Sequence, residues 1–307
     1  MGTRVRLGLH VGVWRLPVRL VREADSLGYH SVWTGESESC DALTRLAWIG
    51  ALTDRLSLGS GVAHLTAREP WATASAATTI HRLSGRAVLL GLGMPRSPNR
   101  DESGRLGAQA AIRTYVEAVR REIAARIDHD AVAIYLGATA PASVRLAGEI
   151  ADGWVASFYA PSRRAMLNEP LAQGLSAASR NAREFDVAAI AMVVVGDDVD
   201  ACRWRVKQIL AAYIGGLASR GDRTHLDLAV RLGYEDAVDG IVSAAAERRH
   251  GEAARAVPDS LVDEVALCGP PERIRDGVAA WRDADIGTLI IGTRRSSALR
   301  LMAELVL

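Results

Sequence analysis

The chain has 307 residues, 49% of them hydrophobic, 24% charged and 5% aromatic, which is enough for one large core or two ordinary ones and excludes a disordered chain. Lys plus Arg total 37 against 36 Asp plus Glu, a net charge of +1, so no global basic field exists to hold nucleic acid or an anionic membrane. The three cysteines, Cys40, Cys202 and Cys268, are too scattered for a disulfide framework or a CxxC pair, and a cytoplasmic location is expected.

The first apolar run, VRLGLHV (5–11), is too short to cross a bilayer, which takes about 20 residues. With His10 inside it and Arg15 after it, the stretch predicts a buried strand rather than a signal segment. PVRLVREADSLG (17–28) then repeats apolar residues at helical spacing up to Gly28. The same alternation continues as SVWTG (31–35) and a helix over 41–53, then LSLGSGV (56–62) and a helix over 71–83. AVLLGLG (87–93) precedes a helix over 108–127, AVAIYLG (131–137) one over 141–152, and GWVASF (153–158) one over 162–183. VAAIAMVVV (187–195) precedes a helix over 198–216, and IGTLIIG (286–292) one over 296–306.

Eight apolar strands, each followed by a helix, predict a single (β/α)8 barrel over 1–307; an open doubly wound sheet shares the alternation. Residues 217–285, which include the short apolar VALCG, break the pattern and are predicted to be an insertion and helices before the last strand.

Barrel function gathers where the strands end. There stand His10, Glu36 in ESESCD (36–41), the glycines of LGSGVAHL with His64, GLGMP (91–95) and the 137–140 loop. Asp41 has the place of a helix cap. Gly59 and Gly61 allow close approach of a flat ligand or a tight bend at the rim. GLGMP is not a dinucleotide fingerprint, since Arg96 stands where the third glycine belongs. A glycine turn followed by Arg96 and Arg100 still suits a phosphate. Neither a GxSxG elbow nor a HExxH pair occurs, so hydrolase chemistry has no support and no metal site is expected. His225 reads as a surface or helix residue.

LGYHSVWTGE (27–36), the run from DALTRL to GLGMP (41–95), LGATAPASVRLAGEIADGW (136–154) and VDEVALCGPPERIRDGVAAWRDADIGTLIIG (262–292) together resemble the luciferase-like monooxygenase superfamily. The branch they resemble is that of the coenzyme F420-dependent oxidoreductases related to methylene-tetrahydromethanopterin reductase. The resemblance implies a non-prolyl cis peptide at Gly61–Val62, continued by Ala63, as a platform behind a flavin-like ring. It places Glu36 and Ser37 where relatives carry an acid–histidine pair facing the ring. Gly91, Gly93, Met94 and Arg96 fall on the phosphate side, and Gly137, Ala138, Thr139 and Ala140 on a loop along the cofactor tail.

The chain also departs from the pattern it resembles. Ser37 replaces the histidine, Pro95 and Ala140 replace glycines, and DHDA (128–131) stands where relatives carry some tens of residues with a hairpin. The function implied is hydride transfer between F420 and a small organic substrate such as an activated alkene, imine or alcohol. Glu36, His10 and His64 are the candidate proton carriers, and a homodimer is expected. A reduced-FMN monooxygenase is the alternative on the same fold. A cofactor-free barrel acting as a binding or assembly subunit is the third reading.

Overall fold

Strands covered on both faces need no polar alternation, and the eight apolar runs become the eight staves of a closed parallel barrel. The protein is described from a computed structural model, over residues 5–13, 16–94, 102–127, 131–219 and 221–307. In chain order the elements begin with β1 (Arg6–Val11), α1 (Val18–Ser26), β2 (Ser31–Thr34), α2 (Ala42–Leu52), β3 (Ser57–Ser60) and the two-residue β4 (Ala63–His64). There follow α3 (Pro70–Ser84), β5 (Val88–Gly93), α4 (Glu102–Ala124), β6 (Val132–Gly137), α5 (Pro141–Ile150), β7 (Gly153–Ala156) and α6 (Arg164–Ala177). Then come β8 (Asp186–Val195), α7 (Val199–Ala211), α8 (Thr224–Arg231), α9 (Glu235–Ala246), α10 (His250–Ala256) and α11 (Asp259–Val265). The chain ends with β9 (Ala266–Gly269), α12 (Pro271–Arg282), β10 (Thr288–Gly292) and α13 (Ser296–Val306).

The strand order β10-β1-β2-β3-β5-β6-β7-β8 closes where β8 pairs with β10, which removes the open sheet from consideration. The run VALCG is not only part of an insertion. It supplies β9, a further parallel strand on the upper half of β8. β8 is ten residues long: residues 188–192 pair with β10, and 192–195 pair with β9. The helices α8–α10 pack on α7 and the residues just after it, and α11 leads into β9.

One apolar layer lies between strands and helices, and a second fills the barrel. The inner layer is Trp33, Leu89, Tyr135, Val155, Ala188 and Ile290. Trp33 occupies the axis because Gly8 and Gly59 leave it room; a Cβ on Gly59 would stand 2.5 Å from its indole. The flat ring that Gly59 admits thus belongs to the protein itself. Below this layer Asp186 Oδ2 accepts hydrogen bonds from Tyr135 Oη (2.9 Å) and Thr288 Oγ1 (2.8 Å) and pairs with Arg6 (2.9 Å), closing the floor with polar contacts. Chemistry is left to the other end.

Candidate active site

At the C-terminal mouth, the peptide Gly61–Val62 is cis. It thrusts the Val62 side chain against β5 and β6, where a Cβ on Gly93 or Gly137 would lie 2.5 or 2.7 Å from a Val62 methyl. A Cβ on Gly91 would collide with the Ser60 carbonyl, and Ser60 Oγ donates to the Gly91 carbonyl at 2.8 Å. Gly91, Gly93 and Gly137 are thus the socket of the bulge. Ala63 is buried and level with Leu92, and His64 is half-buried beside Gly93. Met94 packs against the core at the end of β5.

Arg96 lies outside the described residues, as do Pro95 and Arg100. Residues 128–130 of the shortened link do too. In the second loop, the Ala138 carbonyl accepts from Trp154 Nε1 (2.8 Å) and the Thr139 carbonyl from Arg231 Nη1 (2.7 Å). Ala140 caps α5 from an extended conformation, with Pro141 opening the helix. Arg231, from α8, was not legible as part of this loop: 92 residues separate it from Thr139.

Glu36 is held on every side. Arg68 grips both carboxylate oxygens (3.1 and 2.9 Å), and the N–H groups of His64 and Ala42 approach them at 3.4 Å each. Arg68 also pairs with Asp41, which caps α2 through Thr44 N–H at 2.6 Å. The Arg68 carbonyl in turn accepts from Tyr115 Oη at 3.0 Å. This network ties the β2 loop to the end of β4 and fixes the approach to the cis bulge. Ser37 closes a tight turn with Cys40 through paired backbone bonds (3.0 and 3.1 Å). Its hydroxyl lies 3.4 Å from that of Ser39.

His10 follows Gly8 on the inward face of β1, level with Trp33 and Gly292. Burial, reinforced by the Arg45 guanidinium, lowers its pKa to about 4, so the imidazole is neutral at neutral pH. A neutral ring accepts or relays a proton there but does not serve as a standing cationic acid. Among the described residues, no group of three His, Cys, Asp or Glu side chains gathers as a metal site.

A third wall of the mouth was hidden in the sequence. Ser157 continues the inward series Gly153 and Val155 of β7, and His225 Nε2 lies 3.3 Å from its hydroxyl. His225 is buried in the first turn of α8, not a surface residue. Phe158, at φ 51°, and Tyr213, from a π-helical turn over Ala212–Gly216, place their rings 4.8 and 4.9 Å from it. The strand signal GWVASF marked one side; only folding brings the other side 68 residues back.

The model of the luciferase-like monooxygenase family matches residues 2–287. A Mycobacterium tuberculosis protein, which carries the provisional name coenzyme F420-dependent oxidoreductase, is 33% identical over the whole of both chains. The alignment runs to 349 positions, longer than this chain. The coenzyme F420-dependent tetrahydromethanopterin reductase of Methanopyrus kandleri superposes with a TM-score of 0.80 at 19% identity, over 99% of this chain and 98% of that one. The oxygenating component of the 3,6-diketocamphane monooxygenase of Pseudomonas putida, solved with FMN, superposes at 0.63 and 16% identity, over 100% and 98%. The barrel and these likenesses agree: the chain is an oxidoreductase of the luciferase-like monooxygenase family.

Proposed function

We propose that the protein is an F420-dependent oxidoreductase that moves a hydride between the deazaflavin and a small organic substrate in the barrel mouth. The observation that carries this reading is the mouth kept clear of side chains by Gly91, Gly93 and Gly137 around Val62, in a chain whose full-length relative bears an F420-dependent name. What supports a flat ring there is that the barrel below is filled by Trp33 and its neighbours, while above it the inward positions are glycines, Ser157, His10, Met192 and the bulge. When bound, the deazaflavin supplies the hydride carrier; the chain supplies position and protons.

Gly61, Val62 and Ala63 back the ring, and the 137–140 loop with the start of α5 receives the anionic tail. Arg231 stiffens that loop through the Thr139 carbonyl. Neutral His10 and half-buried His64 are the groups free to relay a proton. Glu36 would first have to leave Arg68, so its contribution is to position the loop that carries His64.

The test is titration of the purified protein with F420 and, separately, FMN, followed by fluorescence. Saturable binding of F420 with FMN at least tenfold weaker is the expected result. A preference for FMN would move the chemistry to oxygen insertion, and binding of neither would favour the cofactor-free barrel.

The proposal extends to assembly as a homodimer. Helices α2 and α3 pack side by side and carry few charges, yet Trp48, Trp71 and Leu83 stand exposed on them at 58%, 59% and 79%. Large apolar side chains in one region mark a face that another surface covers.

A further inference from the structure

Arg45 lies on the second turn of α2, at the mouth, beside the end of β1. Its Nη1 donates to the Gly12 carbonyl (2.9 Å) and to Cys40 Sγ (3.3 Å). The natural helical partner, Asp41 four residues earlier, is turned away to Thr44 N–H and Arg68. Among the described residues no carboxylate pairs with Arg45, and its Nη2 is buried with no hydrogen-bond partner. Arg68, one network away, has two carboxylates for the same charge.

Arg45 is half-buried, and it is the Nη2 nitrogen that is out of water with no partner, which is unfavourable unless something else completes it. The neighbourhood leaves room for that completion. Among the described residues a Cβ on Gly12 would meet nothing within 4 Å, which leaves space beside the carbonyl that Arg45 holds. His10 is near enough to feel the Arg45 charge and faces the barrel interior.

We propose that Arg45 is the anion-binding residue of the substrate site, taking a carboxylate of the substrate on its unpartnered Nη2 as the side chain turns that nitrogen toward the space beside Gly12. This rests on the oxidoreductase reading for the word substrate, but the anion site is a property of the chain alone. A cofactor tail is the other source of an oxyanion. The order β1-β2-β3-β5-β6 sets Arg45, by β1 and β2, across the mouth from the 137–140 loop after β6, and this favours the substrate. A carboxylate there would be fixed by charge and by a directed N–H bond, with neutral His10 alongside.

The experiment uses the full chain without cofactor. Acetate and benzoate are titrated against their neutral isosteres, acetamide and benzamide, with the His10 imidazole resonances and the Arg45 side-chain NMR signals as readouts. Saturable binding of the carboxylates, at least tenfold tighter than the amides and accompanied by a rise in the His10 pKa, is expected. R45M should abolish it. R45K, which keeps a charge and one bond to Gly12, should weaken it at least tenfold and stands in for R45M if that variant fails to fold.

Equal binding of acid and amide, no saturable binding of either carboxylate, or undiminished carboxylate binding in both variants would overturn the proposal and leave Arg45 a staple between Gly12 and Cys40. F420 titration of the same variants separates the two sources. Affinity within twofold of the parent supports the substrate assignment, and a tenfold loss assigns Arg45 to the cofactor tail and overturns it. Carboxylate binding at Arg45 in a protein that takes neither F420 nor FMN would sink the oxidoreductase reading while leaving the anion site standing.

Discussion

At the scale of single residues, the site is organised by fit more than by reactive groups. Val62 needs Gly93 and Gly137 to lack a Cβ, so Gly93→Ala pushes the bulge off its seat. Overpacking of this kind costs about 1–3 kcal/mol, and the expected result is a lower melting temperature together with weaker cofactor binding. A surface alanine substitution of equal stability cost should leave binding unchanged, which separates the two effects. Glu36→Ala removes a partner from a guanidinium that is itself only 17% exposed. Since Asp41 still pairs with Arg68, the loss is set at about 3 kcal/mol, the low end for breaking a buried pair. Denaturant unfolding measures it, and an unchanged midpoint would return Glu36 to the list of proton carriers. The sequence showed Glu36 and its place after a strand, but not its grip: Arg68 lies 32 residues away in a loop with no periodic signature. Arg45 was equally silent, because a lone arginine on a helix reads as solvated until its neighbours are in place.

Among the elements, the eight strands were legible because burial on both faces writes them as unbroken apolar runs, and the helices between them because one face alone is apolar. Asp41 and Gly28 mark helix ends as read, the first by its bond to Thr44 N–H and the second by its φ of +86°. What the pattern could not give was partnership. VALCG has the same apolar signature as a barrel stave, yet the four of its five residues that form β9 pair with the top of β8. His225 read as a surface or helix residue; it is in a helix, but its burial was not legible because its aromatic neighbours come from the loop after β7 and the π-helical turn, on other parts of the chain. Helices α2 and α3 make the clearest prediction at this scale. If their exposed tryptophans are covered by a second copy, the double variant Trp48→Glu with Trp71→Glu should run as a monomer in sedimentation velocity where the parent runs as a dimer. A monomeric parent would remove the expectation of a dimer.

For the whole molecule, charge is balanced and pH acts through a few buried groups. His10 is held neutral down to about 4, chiefly by burial and then by Arg45. The pKa of His30, near the barrel floor, is also lowered, by burial and then by Arg6, against a smaller opposing pull from Asp186. A histidine whose folded pKa lies below its unfolded value gives the unfolded state the extra proton at intermediate pH. Stability is therefore full above about 6.5 and falls as the pH drops from there toward 4. Chemical denaturation across pH 4–7 should show that slope, and His10→Gln should flatten it; a slope unchanged in His10→Gln would assign it to other groups.

The branched strand β8 has a consequence for how such a protein diversifies. Its lower half belongs to the ring of staves and its upper half to β9, so the bonds that close the cylinder and those that hold β9, the strand at the end of the α8–α11 cassette, are different bonds on one strand. The Ser157–His225 contact and the Arg231 hold on the 137–140 loop come from the anchored cassette, whereas the Val62 seat belongs to the cylinder. Selection can therefore revise what the mouth accepts by rewriting one segment while the bonds that close the cylinder stay in place.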